Sequence, residues 1–287
     1  MPRKAMTRDE WRTLIAKCEQ EFKDFQGTVS VRVSGGAASS VAWKRCLDKY
    51  GHDRVRPVFA DTKTEHTDLY RFLDDCERAF DQKIERLCDG RDIWDVFDAH
   101  GIMRIPKAGN ACKASIELKQ KPLDKWFKSS DCDAIAVGIE FLEPERIAAF
   151  TNRLSGTVLF PLCDRPLLSE CEIVEEVRKW GIDPPQLYKD DYTHNNCGGF
   201  CILAGLGQWA ANRKRDPDGF AYHADRERRF NEKTGFPILR DQSGGEVKPY
   251  TLDQLAKDQD EGREFPDNWR SQCGCMSPQL FAVDDCF

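Results

Sequence analysis

Thr28-Val-Ser-Val-Arg-Val33, followed by Ser34-Gly35-Gly36-Ala37-Ala38-Ser39-Ser40, decides how the rest of the 287-residue chain is read. The first six residues are rich in β-branched side chains and hold no turn former, which predicts a buried strand of a parallel sheet. Glycines end it, and Val41-Ala-Trp43 through Cys46 to Tyr50 continues at helical spacing. Such a turn lets the backbone curl tightly around an anion, and the helix start offers unpaired N–H groups with a partial positive charge. Serine hydroxyls add donors. Ser34, Gly35, Gly36, Ser39 and Ser40 are therefore the candidate phosphate-binding residues. The turn is neither the Gly-x-x-x-x-Gly-Lys-Ser/Thr loop of common NTPases, because no Lys follows, nor the dinucleotide fingerprint with its three spaced glycines.

Outward from this unit the same alternation repeats. Thr7 to Phe25 has helical spacing behind a Thr7/Glu10 capping box. Val55-Arg-Pro-Val-Phe-Ala60 reads as a second strand ended by Asp61-Thr62, and Thr67 to Phe80 as an amphipathic helix. Lys83 to Leu87, Ala134-Ile-Ala-Val-Gly138 and Val158-Leu-Phe-Pro161 are further strands. Ile93 to Phe97 is a helical turn, and Glu170 to Trp180 is a helix stopped by Gly181. Strands alternating with helices imply βαβ units: an α/β fold, a parallel Rossmann-like sheet between helical layers. Beyond Trp209 the sequence turns polar and reads as a smaller, loop-rich lobe, which divides the chain into residues 1–205 and 206–287. Polar groups at the carboxyl edge of adjacent parallel strands line the crevice of such sheets, which makes Asp61 and Thr62 candidates.

Composition bounds the function. Hydrophobic residues at 40% and charged residues at 32%, with 17 Phe and 7 Trp, supply a substantial core. A net charge of −6 excludes a uniformly basic nucleic-acid coat, although not a local basic channel. No apolar run approaches the ~20 residues of a membrane helix, and the charged N-terminus does not read as a signal peptide. The expectation is a cytoplasmic protein with no membrane partner.

Thirteen cysteines stand out. In a reducing compartment they point to metal ligands, catalytic thiols or buried filler rather than disulfides. Cys18, Cys46, Cys76, Cys88, Cys132 and Cys171 sit singly in amphipathic segments and, like Cys163, read as core. The others are grouped: Cys112, the pair Cys197-Gly-Gly-Phe-Cys201 and the pair Cys273-Gly-Cys275. Thiolates in fours hold tetrahedral zinc or an iron–sulfur cluster. Arg104, Lys113, Lys119, Lys121 and Lys125 form a basic stretch around Cys112, suited to phosphates or equally to a solvated helix face. His194 reads as a hydrogen-bonding imidazole rather than a ligand.

The strand-Ser34-Gly35-Gly36-x-x-Ser39-helix unit resembles the PP-loop of the adenine-nucleotide α-hydrolase superfamily, usually Ser-Gly-Gly-x-Asp-Ser; Ala38 stands where that family has Asp. The resemblance runs over roughly residues 28–205. Asp61-Thr62 with Glu65 and Asp68-Leu-Tyr70 resembles the Asp-Thr segment beside the nucleotide in 3′-phosphoadenylyl-sulfate (PAPS) reductases. Gly138, Glu143 and Arg146 are similar to a Gly…Glu…Arg stretch of the family. Pro161-Leu-x-Asp164 and Pro184-Pro-x-Leu-Tyr188, leading to Tyr192-x-His-Asn-Asn-Cys197, follow its later order. Cys112…Leu118-Lys119-x-x-Pro122 resembles a segment shared with DNA-phosphorothioation sulfurtransferases.

The resemblance implies a HUP-type α/β/α core that uses ATP with Mg2+ and releases pyrophosphate. Gly138 and Arg146 join the phosphate loop, Asp61 and Thr62 in holding the nucleotide, with Asp61 and Cys112 in catalysis. It favours a [4Fe–4S] cluster, with zinc as the alternative, on Cys112, Cys197, Cys201 and one of Cys273 or Cys275. The implied reaction is sulfur transfer to an adenylated nucleotide or nucleic acid. The expected partners are an adenine nucleotide, a nucleic-acid substrate and a sulfur-donor protein, with a homodimer as a further expectation. A sulfonucleotide reductase is the second reading, weakened because Gln272-Cys-Gly-Cys-Met-Ser277 lacks the His of the reductase tail. A non-catalytic nucleotide- or nucleic-acid-binding protein of a phage or defence system, its catalysis lost with Ala38, is the third.

Overall fold

The computed structural model describes residues 6–106, 111–154, 156–190, 192, 195–242 and 245–265. The chain opens with α1 (Arg8–Asp24), closed at its start by the Thr7/Glu10 capping box. It continues through β1 (Val29–Arg32), α2 (Ala37–Tyr50), β2 (Val55–Asp61), α3 (Thr67–Phe80) and β3 (Glu85–Cys88), followed by α4 (Ile93–His100). A short antiparallel pair, β4 (Arg104–Ile105) and β5 (Ala111–Cys112), leads through a π-helical stretch, Ser115–Gln120, into α5 (Lys121–Ser129). Then come β6 (Ala134–Val137), α6 (Pro144–Arg153), β7 (Thr157–Leu159), α7 (Glu170–Lys179) and α8 (Gln186–Lys189). The C-terminal part holds α9 (Leu206–Arg215), α10 (Pro217–Thr234), the hairpin of β8 (Leu239–Asp241) and β9 (Lys248–Tyr250), and α11 (Leu252–Asp260).

The main sheet has the order β3-β2-β1-β6-β7, every pair parallel, so the α/β reading holds. β1 is central: Val29 lies opposite both Val55 and Ala134. From β1 the chain runs outward first to β2 and β3, and later to β6 and β7. The switch in direction falls between β1 and β6, and open α/β sheets leave their ligand crevice at the carboxyl edge of such a point. The turn after β1 stands there.

Helices cover both faces. Val29, Val31 and Val33 pack with Trp43, Phe72, Leu73 and Val177 on one side. Ile135 and Val137 pack with Trp11, Ile15 and Ile147 on the other. A separate core joins Trp94, Phe97, Met103, Ala114 and Leu118 to Phe200, Trp209, Phe220, Phe230 and Leu255. Residues 93–103 and 112–118 thus share a core with the C-terminal lobe across the expected boundary at 205. Where the sequence beyond Trp209 reads polar and loop-rich, α10 is an 18-residue helix. Phe220, His223, Ala224, Glu227 and Phe230 recur at three- and four-residue spacing and bury one face. Burying each Phe is worth about 1.5–3 kcal/mol, enough to outweigh the charged outer face that masks the pattern.

Candidate functional site

The β1–α2 turn is held open by its own side chains. Ser39 Oγ accepts the Ser34 N–H and the Ser34 hydroxyl, both at 3.1 Å, and donates to Gly36 O at 2.8 Å. Ser40, fully buried, donates to Gly36 O at 3.3 Å and accepts the Cys76 thiol. Ser39 and Ser40 therefore brace the turn from behind, while Ser34 is exposed at its mouth. Gly35 has φ +81°, and a Cβ there would lie 2.6 Å from Leu69. Gly36 caps α2 with no side chain, and no acidic residue in the first turn offsets the helix's positive end. Ala37 N–H donates to the Tyr188 hydroxyl at 3.2 Å. Gly138, at the end of β6, is pressed on this turn from the other strand. A Cβ on it would meet Ser39 Cα at 2.6 Å and Ser39 N at 2.7 Å, and that backbone cannot yield.

On the β6 side a cavity of about 490 Å3 is lined by Ala37, Ala38, Glu140, Glu170 and Tyr188, among others. Burial, with Glu143 and Glu170 nearby, pushes the Glu140 carboxyl up to about 8. Glu143 accepts the Glu140 N–H at 3.2 Å and pairs with Arg146. Burial pushes the Tyr188 phenol up to about 12.

On the β2 side, Asp61 Oδ1 accepts the Lys63 N–H and the Tyr70 hydroxyl, each at 2.8 Å. Thr62 donates to Glu65 Oε1 at 3.0 Å, Lys119 Nζ reaches the same oxygen at 2.8 Å, and the Cys197 N–H donates to Glu65 Oε2 at 2.7 Å. The Glu65 side chain is fully enclosed. Burial works to lower the Lys119 ammonium, but Glu65, with Cys197 and Cys112 beside it, holds it above its ordinary range.

Cys112 and Cys197 lie within electrostatic reach of Lys119, and Cys197 is hydrogen-bonded to Cys201. Burial pushes the Cys112 thiol up to about 11, against the pull of the Ser115 and Ala114 amides and of Lys119. The hydrogen bond with Cys201, then burial, raises Cys197 well above the usual thiol range. Both shifts favour the neutral thiol, and binding a metal requires the thiolate. Cys197 (φ +52°), Gly198 (φ +58°) and Gly199 (φ +88°) form a left-handed run that curls the loop back. Arg215 donates to Gly198 O at 2.8 Å, Gln208 to Gly199 O at 2.6 Å and Asn212 to Gly199 O at 2.8 Å, so the lobe clamps it. Among the described residues no three His, Cys, Asp or Glu side chains form a set that could by itself hold a metal. Cys273, Cys275 and His194 lie outside the described residues. Much of the basic stretch is engaged locally: Lys113 and Lys121 pair with Glu117, and Arg104 donates to Ile202 O and Ile238 O.

Two residues emerge that the sequence did not single out for the site. Asn195, 2% exposed, donates from Nδ2 to Gly35 O at 2.9 Å, while its Oδ1 is buried without a partner. Tyr188 had appeared only within a longer motif. Neither signals its role by spacing, since each meets the turn across more than 150 residues of chain.

No family model matches this chain, and no curated protein does. Among solved structures, a phosphoadenylyl-sulfate (PAPS) reductase from Candida auris, crystallised as a phosphate complex, is similar over 66% of this chain and 94% of that one. The identity is 12% and the TM-score 0.44, a likeness that bears on neither reaction nor residue roles. No described helix is long and apolar enough to cross a membrane.

Proposed function

We propose that the chain binds an adenine nucleotide by its phosphates at the β1–α2 turn and uses ATP with release of pyrophosphate. The oxygen of the acceptor, a nucleotide or nucleic acid, is thereby bonded to AMP, and a sulfide equivalent from a sulfur-donor protein, entering on the thiol side of the crevice, attacks the activated carbon and displaces AMP. One observation carries this reading: a glycine turn at the switch point of a parallel sheet is tied through Asn195 to the loop that bears Cys197 and Cys201.

The turn suits a phosphate chain. A Cβ at Gly35 would collide with Leu69, and one at Gly36 would come within 2.9 Å of the Tyr188 hydroxyl, so only glycine leaves the cradle free. The α2 amides and the Ser34 hydroxyl would receive the phosphates, Ser39 and Ser40 would hold the turn's shape, and Asp61 and Thr62 would border the nucleotide. Gly138 would serve by letting β6 close on Ser39. Ala38 offers Mg2+ no carboxylate; Glu140 and Glu170 share its cavity and would supply one. Holding the nucleotide rigid and excluding water is most of what phosphoryl-type chemistry asks of a protein.

The thiols suit a cluster in donor type. Cys112, Cys197 and Cys201 would hold it with Cys273 or Cys275, and Lys119 would offset the charge of the thiolates. A bound [4Fe–4S] cluster would supply electron transfer or a sulfur-binding centre; zinc would only fix the loops.

The test is pyrophosphate release from ATP by anaerobically purified protein, with and without Gly36→Val. ATP-dependent release that Gly36→Val abolishes supports the reading. Tight ATP binding without release favours a non-catalytic binder, and sulfite production from PAPS with thioredoxin favours a reductase.

A further inference from the structure

The phosphate turn and the thiol loop share a backbone junction. Asn195 Nδ2 donates to Gly35 O at 2.9 Å, and two residues on, the Cys197 N–H is taken by Glu65 Oε2 at 2.7 Å. Gly198 packs its Cα against the Thr64 carbonyl, where an added Cβ would lie 3.2 Å from the oxygen. The segment 195–199 therefore cannot move without disturbing either Gly35 or the Thr62–Glu65 turn.

Asn195 is also incompletely satisfied. Its carboxamide is almost wholly buried, yet Oδ1 meets no donor. A buried acceptor left unpaired is costly, and such groups in folded proteins mark strain or a missing partner. The orphaned atom belongs to the amide group that bonds Gly35, beside the start of a 14-residue helix.

We infer that Asn195 is a positioning residue that links occupancy of the phosphate turn to the state of the Cys197/Cys201 loop. The inference rests on the nucleotide reading above and adds regulation to it. A ligand at the turn fixes Gly35 O, Gly35 O fixes Asn195, and Asn195 fixes the left-handed run that sets the Cys197 thiol. Because linkage is reciprocal, a change in the equilibrium state of the thiol loop alters affinity at the turn by the factor with which ligand at the turn shifts that equilibrium.

Two measurements on the full chain test this, with ATP and inorganic pyrophosphate as probes. The first is calorimetric affinity for wild type, Asn195→Ala and Asn195→Asp, with unfolding midpoints confirming the fold. The second is the rate of iodoacetamide labelling of Cys197 and Cys201, read by peptide mass spectrometry with and without probe. Expected are a change in labelling rate of about fivefold or more on ligand binding in wild type and its loss in both variants. Asn195→Asp should bind the probes more weakly than Asn195→Ala, because its carboxylate faces Gly35 O without a donor. Ligand binding by wild type with unchanged labelling, or ligand-dependent labelling that survives Asn195→Ala, overturns the linkage and leaves the nucleotide reading standing. Failure of wild type to bind either probe overturns both.

Discussion

Lys119 Nζ lies 2.8 Å from Glu65 Oε1, and no part of the Glu65 side chain reaches solvent. The pair is the hub of the thiol side, since Thr62 and the Cys197 amide bond the same carboxylate. Breaking a buried pair by removing one partner costs about 3–5 kcal/mol. Lys119 keeps 24% exposure, so Lys119→Met should fall toward the lower end, and Glu65→Ala, which also strands the Cys197 N–H, toward the upper. Urea unfolding of both variants checks the order; equal costs would mean that the amide bond contributes nothing.

Gly138→Ala should destabilise the chain by about 2 kcal/mol or more, although alanine is the smallest possible change. The new methyl would meet the Ser39 backbone at 2.6 Å, where β6 and the phosphate turn touch. Gly156→Ala is the control with open space, and its positive φ of 110° alone should set its smaller cost. Thermal unfolding with ATP titration should find Gly138→Ala deficient in both stability and binding.

Acid should loosen the second core before the sheet. Trp94 Nε1–H donates to His223 Nδ1 at 3.0 Å, and burial holds His223 down to about 4. The folded value lies below the unfolded one, so the contribution is complete above about pH 6.5 and is lost as pH falls toward 4. The full effect is roughly 3 kcal/mol. Denaturation followed by tryptophan fluorescence at pH 7 and pH 4.5 should show it, and His223→Phe should flatten the dependence.

Iron and sulfide contents of anaerobically purified protein should fall together in Cys112→Ser, Cys197→Ser and Cys201→Ser, with loss of visible absorbance. A colourless wild type carrying one zinc would replace the cluster with a structural metal.

The sheet was legible through β1, β2 and β6, short apolar runs rich in Val and Ile whose burial on both faces leaves that imprint. The phosphate turn was legible for the same local reason. What could not be read were relationships made by the fold. Ser39 and Ser40 look like phosphate donors in sequence, yet their hydroxyls turn inward to Gly36 O. Gly138 reads in sequence as the end of a strand, yet its missing side chain is what lets β6 approach α2. α10 escaped notice because eight of its 18 residues are charged and its buried face also includes His223 and Glu227.

The joint core of residues 93–103, residues 112–118 and the C-terminal helices has a practical corollary. A fragment stopping at residue 205 would strip Trp94, Phe97 and Leu118 of their covering and would be expected to aggregate rather than yield a minimal nucleotide binder. Any exchange of the Cys112 segment would therefore have to carry its C-terminal helices with it.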